Sequence, residues 1–555
     1  MSELLLPDLP EQNQSPYAGR WVAKVRGKII AQGDTREQAI HAAKQSRPKE
    51  NPEIIFMPQS KLFKAPLLNE IQSAMSGVSS IYLVGGAVRD LMLGRDLRDF
   101  DFAVPWGSGI KLARQLANKI DADFFPLSED FDTGRVIVIR DDGSRDVIDF
   151  AGFRGADLEA DLRGRDFTLN ATAIDLHTEQ LIDPLKGAND LREKVLRACS
   201  PTSSSDDPVR ILRGVRLAAA FGFRIDIETR KQMKAAVEGL SATSPERLRD
   251  EFFKILEGPQ PDTAIRALDL IGALNFILPE LSAMKNVEQS APHVHDVWTH
   301  TLALLRYLDM ILAALAPQYK EESASDLLNG LTVLKLGRYR NQFADHFAKH
   351  FVPDRSRRAL LFFTALYHDA AKPNTKTFEN GRIRFLGHDE QGPVMLEERG
   401  RSLALSNDEI ERAKIVIRNH MRIHNHTNRL HVEKKEISRR AIYRFFRDSG
   451  EAGVDLILLA MADFRATYDH TLTQELWTAC LDVCRTLLEN YWEKPEEIVA
   501  PPKLLNGDDL IKEIRMKPGP EIGQLLELIR EGQAAGKIST REEAIAFALG
   551  WLSKK

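Results

Sequence analysis

Cysteine is scarce in this chain: three residues in 555, at Cys199, Cys480 and Cys484. Three thiols build neither a disulfide framework nor a zinc-binding spacing. Cys480 and Cys484 stand one helical turn apart in an apolar segment and read as packing, so a reducing compartment, the cytoplasm, is expected. Long apolar runs are missing too. Nothing approaches the roughly 20 residues that span a bilayer, and the opening MSELLLPDLPEQNQ lacks the basic head and apolar stretch of a signal peptide. An excess of one charge is also absent. With a formal net charge of −4, any contact with RNA must come from local basic surface and not from a global field.

What is present is enough apolar sequence for several cores, and a chain of this length divides into roughly three to five domains. Residues 1–60 read as an accessory βαβ-like module. In it WVAKVRG and KIIAQG form strands around Gly27, TREQAIHAAKQ a helix capped by Thr35, and EIIFMP a third strand. Residues 61–195 read as a mixed α/β head containing the strands SIYLVGG, DLRDFDFAV, GRVIVIR, RDVIDFAGF and LNATAIDL. A Ser-rich connector then leads into sequence of almost wholly helical period: a neck over 196–285, a body over 286–500 and a last module over 501–555. The expected fold class is an α+β head followed by an all-α neck, body and tail.

Chemistry concentrates in LVGGAVRD and LRDFDF. A strand ending at Gly85-Gly86 lets backbone approach phosphate closely, the following helix offers free N–H groups, and Arg89 adds a charged fork suited to a triphosphate. Asp99 and Asp101 flank Phe100. In a strand both carboxylates share one face while Phe100 packs behind. Two like charges so placed call for a cation, and Mg²⁺, which takes oxygen ligands and bridges phosphates, suits them. Asp149 in RDVIDF is the candidate third carboxylate of a two-metal site. Asp146, at odd spacing on that strand, is expected to face the other way.

These residues carry a resemblance. LVGGAVRDLMLGRDLRDFDF, RGRDFTLNATAID, LIDPLKGANDLREKVLR, DDPVRILRGVRLAAAFGF and SPERLRDEFFKIL, in that order from about Ile81 to Leu256, resemble the five motifs of class II tRNA nucleotidyltransferases and bacterial poly(A) polymerases. The resemblance implies a polymerase-β-type head. It makes Gly85, Gly86 and Arg89 triphosphate contacts, Asp99 and Asp101 Mg²⁺ ligands, and puts Asp149 where the family usually has a glutamate. It gives Arg165, Asp166 and Asn170 a grip on sugar and phosphate, Asp207 and Arg210 the reading of the incoming base, and Arg213 and Arg216 a place along the same helix toward phosphate. Asp206-Asp207 stands where the family commonly has Glu-Asp. The base-reading pair makes chemical sense: three apart, the two share a helical face. A carboxylate accepts from the exocyclic amino group that C and A carry, and a guanidinium donates to a ring acceptor.

A second set, His300, His368-Asp369, His388, His420 and Asp463, mixes imidazole and carboxylate and suits a divalent transition metal or Mg²⁺. The order resembles the HD phosphohydrolase superfamily over about His293 to Arg465. The resemblance implies His300, His368, Asp369 and Asp463 as core ligands, with His388 and His420 for a second metal or a phosphate. His293 and His295 read as surface, and His424, His426 and His431 as loop polarity or RNA contact. RLHVEKKEISRRAIYRFFR, with Lys434, Lys435, Arg439, Arg440, Arg444 and Arg447 beside Tyr443 and Phe445, reads either as an RNA-following face or as a solvated one. The C-terminal NGDDLI, PGPEIGQLL and TREEA segments resemble the RNA-binding tail of HD-bearing members.

The expected activity is therefore addition of CMP and AMP from CTP and ATP to tRNA, by an enzyme without a membrane part. CC-only, A-only and poly(A) addition remain open. So do an RNA-binding protein on an inactive head and a phosphohydrolase of cyclic phosphates or nucleotides.

Overall fold

The computed structural model describes residues 20–25, 28–57, 66–140, 143–319, 326–351 and 355–553. The opening segment and Gly27 lie outside them. The chain divides into two compact units, residues 1–239 and 240–555.

The first unit begins with a small antiparallel sheet of β1 (Arg20–Val25), β2 (Lys28–Gly33) and β3 (Glu53–Met57), in the order β2-β1-β3. Helix α1 (Arg36–Ser46) joins β2 to β3. It starts where expected, because Thr35 and Gln38 form a capping box that satisfies its first free N–H groups. Glu37 on α1 reaches Lys186 at 3.4 Å and Asn189 at 3.3 Å in the head.

The head is built on a seven-stranded sheet. Its strands are β4 (Tyr82–Val84), β5 (Asp99–Val104), β6 (Asp123–Ser128), β7 (Thr133–Ile139), β8 (Arg145–Gly152), β9 (Ala173–Asp175) and β10 (Leu181–Ile182), ordered β10-β9-β4-β5-β8-β7-β6. Within this sheet β5 and β8 pair in parallel and the other neighbours antiparallel. Strand period 2 divides the two faces. Phe100, Phe102, Ile148, Phe150 and Val136 point one way and are fully buried, with Phe102 stacked on Phe150 at 5.0 Å. Over them lie α2 (Pro66–Ala74), α3 (Gly86–Met92) and α4 (Gly109–Ile120), whose Leu68, Ile71, Val88, Leu112 and Leu116 complete the core. The opposite face keeps Asp99, Asp101, Asp149 and Arg135. Asp146, as expected, faces the covered side, where Arg140 forks it at 2.5 and 2.7 Å. The edge strand β6 was not legible in the sequence: Pro126 interrupts its pattern, which an edge tolerates.

After α5 (Leu158–Arg163), α6 (Gly187–Arg192) and the one-turn α7 (Ser203–Asp206), helix α8 (Val209–Phe221) carries the neck arginines. Among its described residues the second unit is helical apart from two short antiparallel pairings, His350–Phe351 with Arg355–Ser356 and Lys376–Glu379 with Arg382–Phe385. These depart from the all-α expectation. Helix Gly453–Tyr468 is apolar almost all round because it runs through the middle, packed against Val297–Ala314. The last helices share a separate small core of Leu510, Leu525, Ile529 and Ala544.

The basic stretch is neither solvated nor open to RNA along its whole face. Lys434 and Lys435 lie exposed in the connection before helix Arg439–Ser449, which carries the arginines and packs on Pro520–Ala534. Arg440 reaches Glu531 at 2.6 Å, Arg444 forks it at 2.7 and 3.1 Å, and the Tyr443 hydroxyl donates to Glu527. Phe445 is buried. Among the described residues no helix is long and apolar enough to cross a membrane.

Candidate functional site

Asp101 lies where three segments meet on the open face of the head sheet. Strand β4 hands over to α3 through Gly85, whose φ of +71° suits glycine. A Cβ on Gly85 would stand 3.1 Å from Arg165 Nη1 and 3.7 Å from Asp101 Oδ2, so a bare backbone is what lets the three converge. Asp99 and Asp101 share the open side of β5 with Phe100 buried behind, as the spacing predicts. The parallel pairing sets Asp149 directly beside Asp101. Crowding by surrounding protein raises the Asp101 pKa, and the nearby charges of Asp149 and Asp99 add to the rise against Arg165 and Arg213. Asp99 and Asp101 on one open face, with Asp149 in register beside Asp101, offer the oxygen ligands that hard divalent cations take.

The sequence did not indicate Arg135. It lies on β7 in register with Asp149 and forks it, Nε to Oδ1 and Nη2 to Oδ2, both at 2.8 Å. Its role was invisible because strand register sets the partner, 14 residues away.

The remaining predicted contacts form one connected network. Arg89 forks the adjacent Asp90, donates to Asn170 Oδ1 at 2.9 Å and lies over the Phe221 ring at 4.7 Å. Arg165 is steadied by Asp161 at 3.0 Å. Asp166 accepts from Asn170 Nδ2 at 3.1 Å and meets Arg213 Nε at 2.6 Å. Arg210 donates to the carbonyls of Gly164 and Arg165, at 3.0 and 3.2 Å, and to Ser203 Oγ. Helix α8 is thereby tied to residues 164–170. Asp207 departs from expectation: it lies in extended backbone between α7 and α8, with its carbonyl accepting from Arg210 N. Asp207 and Arg210 thus flank the start of a helix and do not share its face; Pro208 at the junction is the physical reason. Arg216 lies further along α8 and is half-buried.

A second centre lies wholly within the other unit. His300, His368, Asp369, His388, His420 and Asp463 are all buried. His368 comes at 3.0 Å and His300 at 3.6 Å from Asp369 Oδ2, while His388 at 3.6 Å and His420 at 4.0 Å face its Oδ1. Asp463 Oδ1 is 3.0 Å from His300. The Nδ1 atoms of His368, His388 and His420 each lie at 2.6–2.7 Å from the carbonyl three residues earlier. That leaves Nε2 as the lone-pair atom facing inward. One such pair approaches closely, His388 to His420 at 3.2 Å; His300, whose Nδ1 has no such carbonyl partner, comes to 3.4 Å from His368. Acceptor facing acceptor in a buried site is what a shared cation relieves. Burial by itself would raise the Asp369 pKa, but the fields of His368 and Lys372 hold it well below the usual carboxylate range. Burial and then His388 push His420 down to about 3.

Three residues here depart from the sequence reading or escape it. His424 is not loop polarity: it is buried on helix Met421–Glu433, stacked on Phe464 at 4.2 Å, with Nε2 2.8 Å from Asp463 Oδ2. His293 is half-buried, with its ring 5.4 Å from His300, and burial and then Lys372 push its pKa down to about 3. Lys372 is buried, 2.7 Å from Asp369 and bonded to Gln289. Its place one turn after Asp369 in HDAAKP was the available signal.

Comparison with known proteins gives matching families over four stretches. Residues 81–197 match the family described as Poly A polymerase head domain, and residues 222–285 that described as "Probable RNA and SrmB- binding site of polymerase A". Residues 486–548 match a tRNA nucleotidyltransferase domain 2 family, and 12–60 a family of unknown function. A CC-adding tRNA nucleotidyltransferase of Thermus thermophilus is 31% identical over 476 residues, covering 84% of this chain and 93% of its own. An A-adding tRNA nucleotidyltransferase of Deinococcus radiodurans is 29% identical, covering 84% and 95%. A multifunctional CCA protein of Legionella pneumophila is 31% identical over 62% of this chain and 75% of its own. Among solved structures, a CCA-adding enzyme with CTP aligns at a TM-score of 0.57 and 21% identity, over 88% of this chain and 96% of that one. The Thermotoga maritima CCA-adding enzyme complexed with tRNA aligns at 0.52 and 22%, over 88% and 95%. At that identity the structural likeness establishes the fold.

Proposed function

This chain belongs to the class II tRNA nucleotidyltransferase family, and on that premise we propose that it transfers CMP, AMP or both from CTP and ATP to the 3′ end of tRNA, releasing pyrophosphate. The observation that carries the reading is the convergence of Gly85, Arg165 and Asp101 on one point, with Asp149 beside it. In the reaction the primer 3′-hydroxyl oxygen bonds the α-phosphorus, the bond from α-phosphorus to the bridging oxygen breaks, pyrophosphate leaves and the hydroxyl proton passes to water.

The donors at the head site are carboxylate oxygens, which fit Mg²⁺, and Asp99, Asp101 and Asp149 would hold it. When bound, the metal neutralises charge on the phosphates and lowers the pKa of the attacking hydroxyl. Arg89 and Arg165 meet the triphosphate beside the bare backbone of Gly85-Gly86. Asp166, Asn170 and Arg213 shape the sugar side, with Arg216 further along α8. Asp207 and Arg210, at the mouth of α8, select the base: a carboxylate accepts a hydrogen bond from the amino group of C or A and repels the oxygen of U or G. Because Arg210 is anchored on the carbonyls of Gly164 and Arg165, the reader and the phosphate grip move together. Residues 196–285 act as the neck, and 501–555 contribute to holding RNA. The free thiols suit a reducing compartment, and we place the chain in the cytoplasm.

Incubating the protein with tRNAs that end before the first C, after the second C, or at the final A, with CTP and ATP supplied separately, separates CC, A, CCA and poly(A) addition. Incorporation into none of them contradicts the reading.

A second activity, metal-dependent phosphoryl hydrolysis in the helical unit, is favoured by a specific observation: the two oxygens of Asp369 face two different histidine pairs. The imidazole and carboxylate donors fit a pair of divalent transition metals. His300, His368 and Asp463 would hold one and His388 and His420 the other, with Asp369 between. Such a pair would polarise a phosphoryl oxygen. His368 and Lys372 favour the ionised form of Asp369, and His424 bonds Asp463 and helps orient it. Elemental analysis of the purified protein should find transition metal that is lost in His368→Ala; an unchanged content speaks against the site.

A further inference from the structure

One row of side chains crosses the open face of the head sheet in strict register: Asp101 on β5, Asp149 on β8, Arg135 on β7 and Phe125 on β6. Phe125 is 50% exposed, while its neighbour Phe124 turns to the covered side under Arg114. Ile137, diagonal to Phe125 on β7, and Val147, paired with Ile137 on β8, are half-buried on the same open face and supply an apolar floor. We infer that this half of the sheet, β8-β7-β6, seats the single-stranded 3′ end of the RNA primer, with Phe125 stacking on one of its last bases.

The inference rests on the transferase reading and on the direction of attack it requires. The groups proposed to hold the incoming triphosphate, Gly85, Arg89, Arg165 and Asn170, come from β4, α3 and the segment before β9, all on one side of Asp101 in the sheet order. In-line displacement brings the attacking hydroxyl from the side opposite the leaving pyrophosphate. The primer must therefore come over the other side, which is β8, β7 and β6. Strands in a sheet are about 4.8 Å apart, so Phe125 stands about 10 Å from Asp149, within reach of the last base or the one before it.

The chemistry of this face selects the same occupant. Arg135 commits Nε and Nη2 to Asp149, and Asp99 and Asp123 border the row. That is no track for a phosphate backbone, but an aromatic ring on an apolar floor suits a base face, and stacking of that kind tolerates any base. Tolerance is what a primer site needs when the terminal nucleotide changes with each addition. Arg135 then links the two ends of the row: it fixes Asp149 near the hydroxyl and lies beside the stacked base.

The test measures Phe125→Ala, Phe125→Leu and Phe125→Tyr in the full chain. Binding is read with a tRNA whose 3′ end carries no hydroxyl, and steady-state addition with an extendable one. The expected result for Phe125→Ala and Phe125→Leu is about a tenfold weaker tRNA affinity and a matching rise in the KM for tRNA, with the KM for the nucleotide unchanged. Phe125→Tyr should behave as the parent. Equal tRNA affinity of parent and Phe125→Ala overturns the inference, whether or not addition is seen, and so does a rise confined to the nucleotide KM. A change of oligomeric state in Phe125→Ala with tRNA affinity untouched makes the face a contact between copies and also overturns it. Absence of addition by the parent protein counts separately, against the transferase reading itself.

Discussion

Gly85 and Asp101 are fixed by different kinds of physics. Asp101 is where it is because strand period 2 sends it to the open face, and that much could be read from DFD alone. Gly85 is constrained twice, by a positive φ and by Arg165 Nη1 3.1 Å from where a Cβ would be. Gly85→Ala should therefore cost about 1–2 kcal/mol of stability from backbone strain and also displace Arg165, so that the KM for nucleotide rises severalfold more than a stability loss of that size explains. Thermal unfolding and nucleotide titration on one preparation check both. Arg135 and His424 were not legible, and for one reason: each acts through a partner brought by register or helix packing. His424 meets Asp463 from a helix 39 residues earlier, and no local pattern encodes that meeting.

At the scale of elements, periodicity located most strands and helices, and the departures lie where a charged face has a hidden partner. Helix Arg439–Ser449 reads in sequence as an RNA or solvent face because its acids, Glu527 and Glu531, arrive from a helix some 80 residues later. Glu531→Ala leaves Arg440 and Arg444 without their shared carboxylate and should lower stability by about 1–3 kcal/mol in urea unfolding. Arg444→Gln should leave tRNA affinity within about twofold and its salt dependence unaltered, because a guanidinium already paired inside the protein neutralises no phosphate. Weaker binding together with a shallower salt slope would instead make Arg444 a phosphate ligand.

Asp455 gives a pH dependence at the same scale. Burial opposes its charge, but Arg412 at 2.6 Å and His346 at 2.8 Å hold its pKa below the ordinary carboxylate value. A depressed folded pKa means the unfolded chain binds the proton first. The stabilisation is thus fully present above about pH 4, the unfolded value, and drains away as pH falls below it toward the folded value. Urea midpoints at pH 6 and pH 3 should fall further apart in the parent than in Asp455→Asn; an equal drop in both proteins contradicts this.

At the scale of the whole molecule, two clusters of ionisable side chains lie in two compact units, one of carboxylates and one of imidazoles with carboxylates. The first three of the five motifs, in order along the chain, made the head legible. The helical centre was legible only as a set of residue types, because its geometry depends on several helices converging from distant parts of the sequence. If the centres are independent, His368→Ala combined with Asp369→Ala should abolish bound transition metal and leave nucleotide addition within about twofold of the parent. Loss of addition without unfolding would mean that the helical centre serves the transfer.

The central claim is that Asp101 and its neighbours transfer nucleotides to tRNA. Its most direct measurement is incorporation of labelled CTP and ATP, with Mg²⁺, into tRNA lacking its 3′-terminal nucleotides, by the parent and by Asp101→Asn. Incorporation by the parent that falls by at least about 10³-fold in Asp101→Asn, with unchanged unfolding and tRNA binding, is the predicted result. Comparable incorporation by both proteins, or none by the parent, would contradict it.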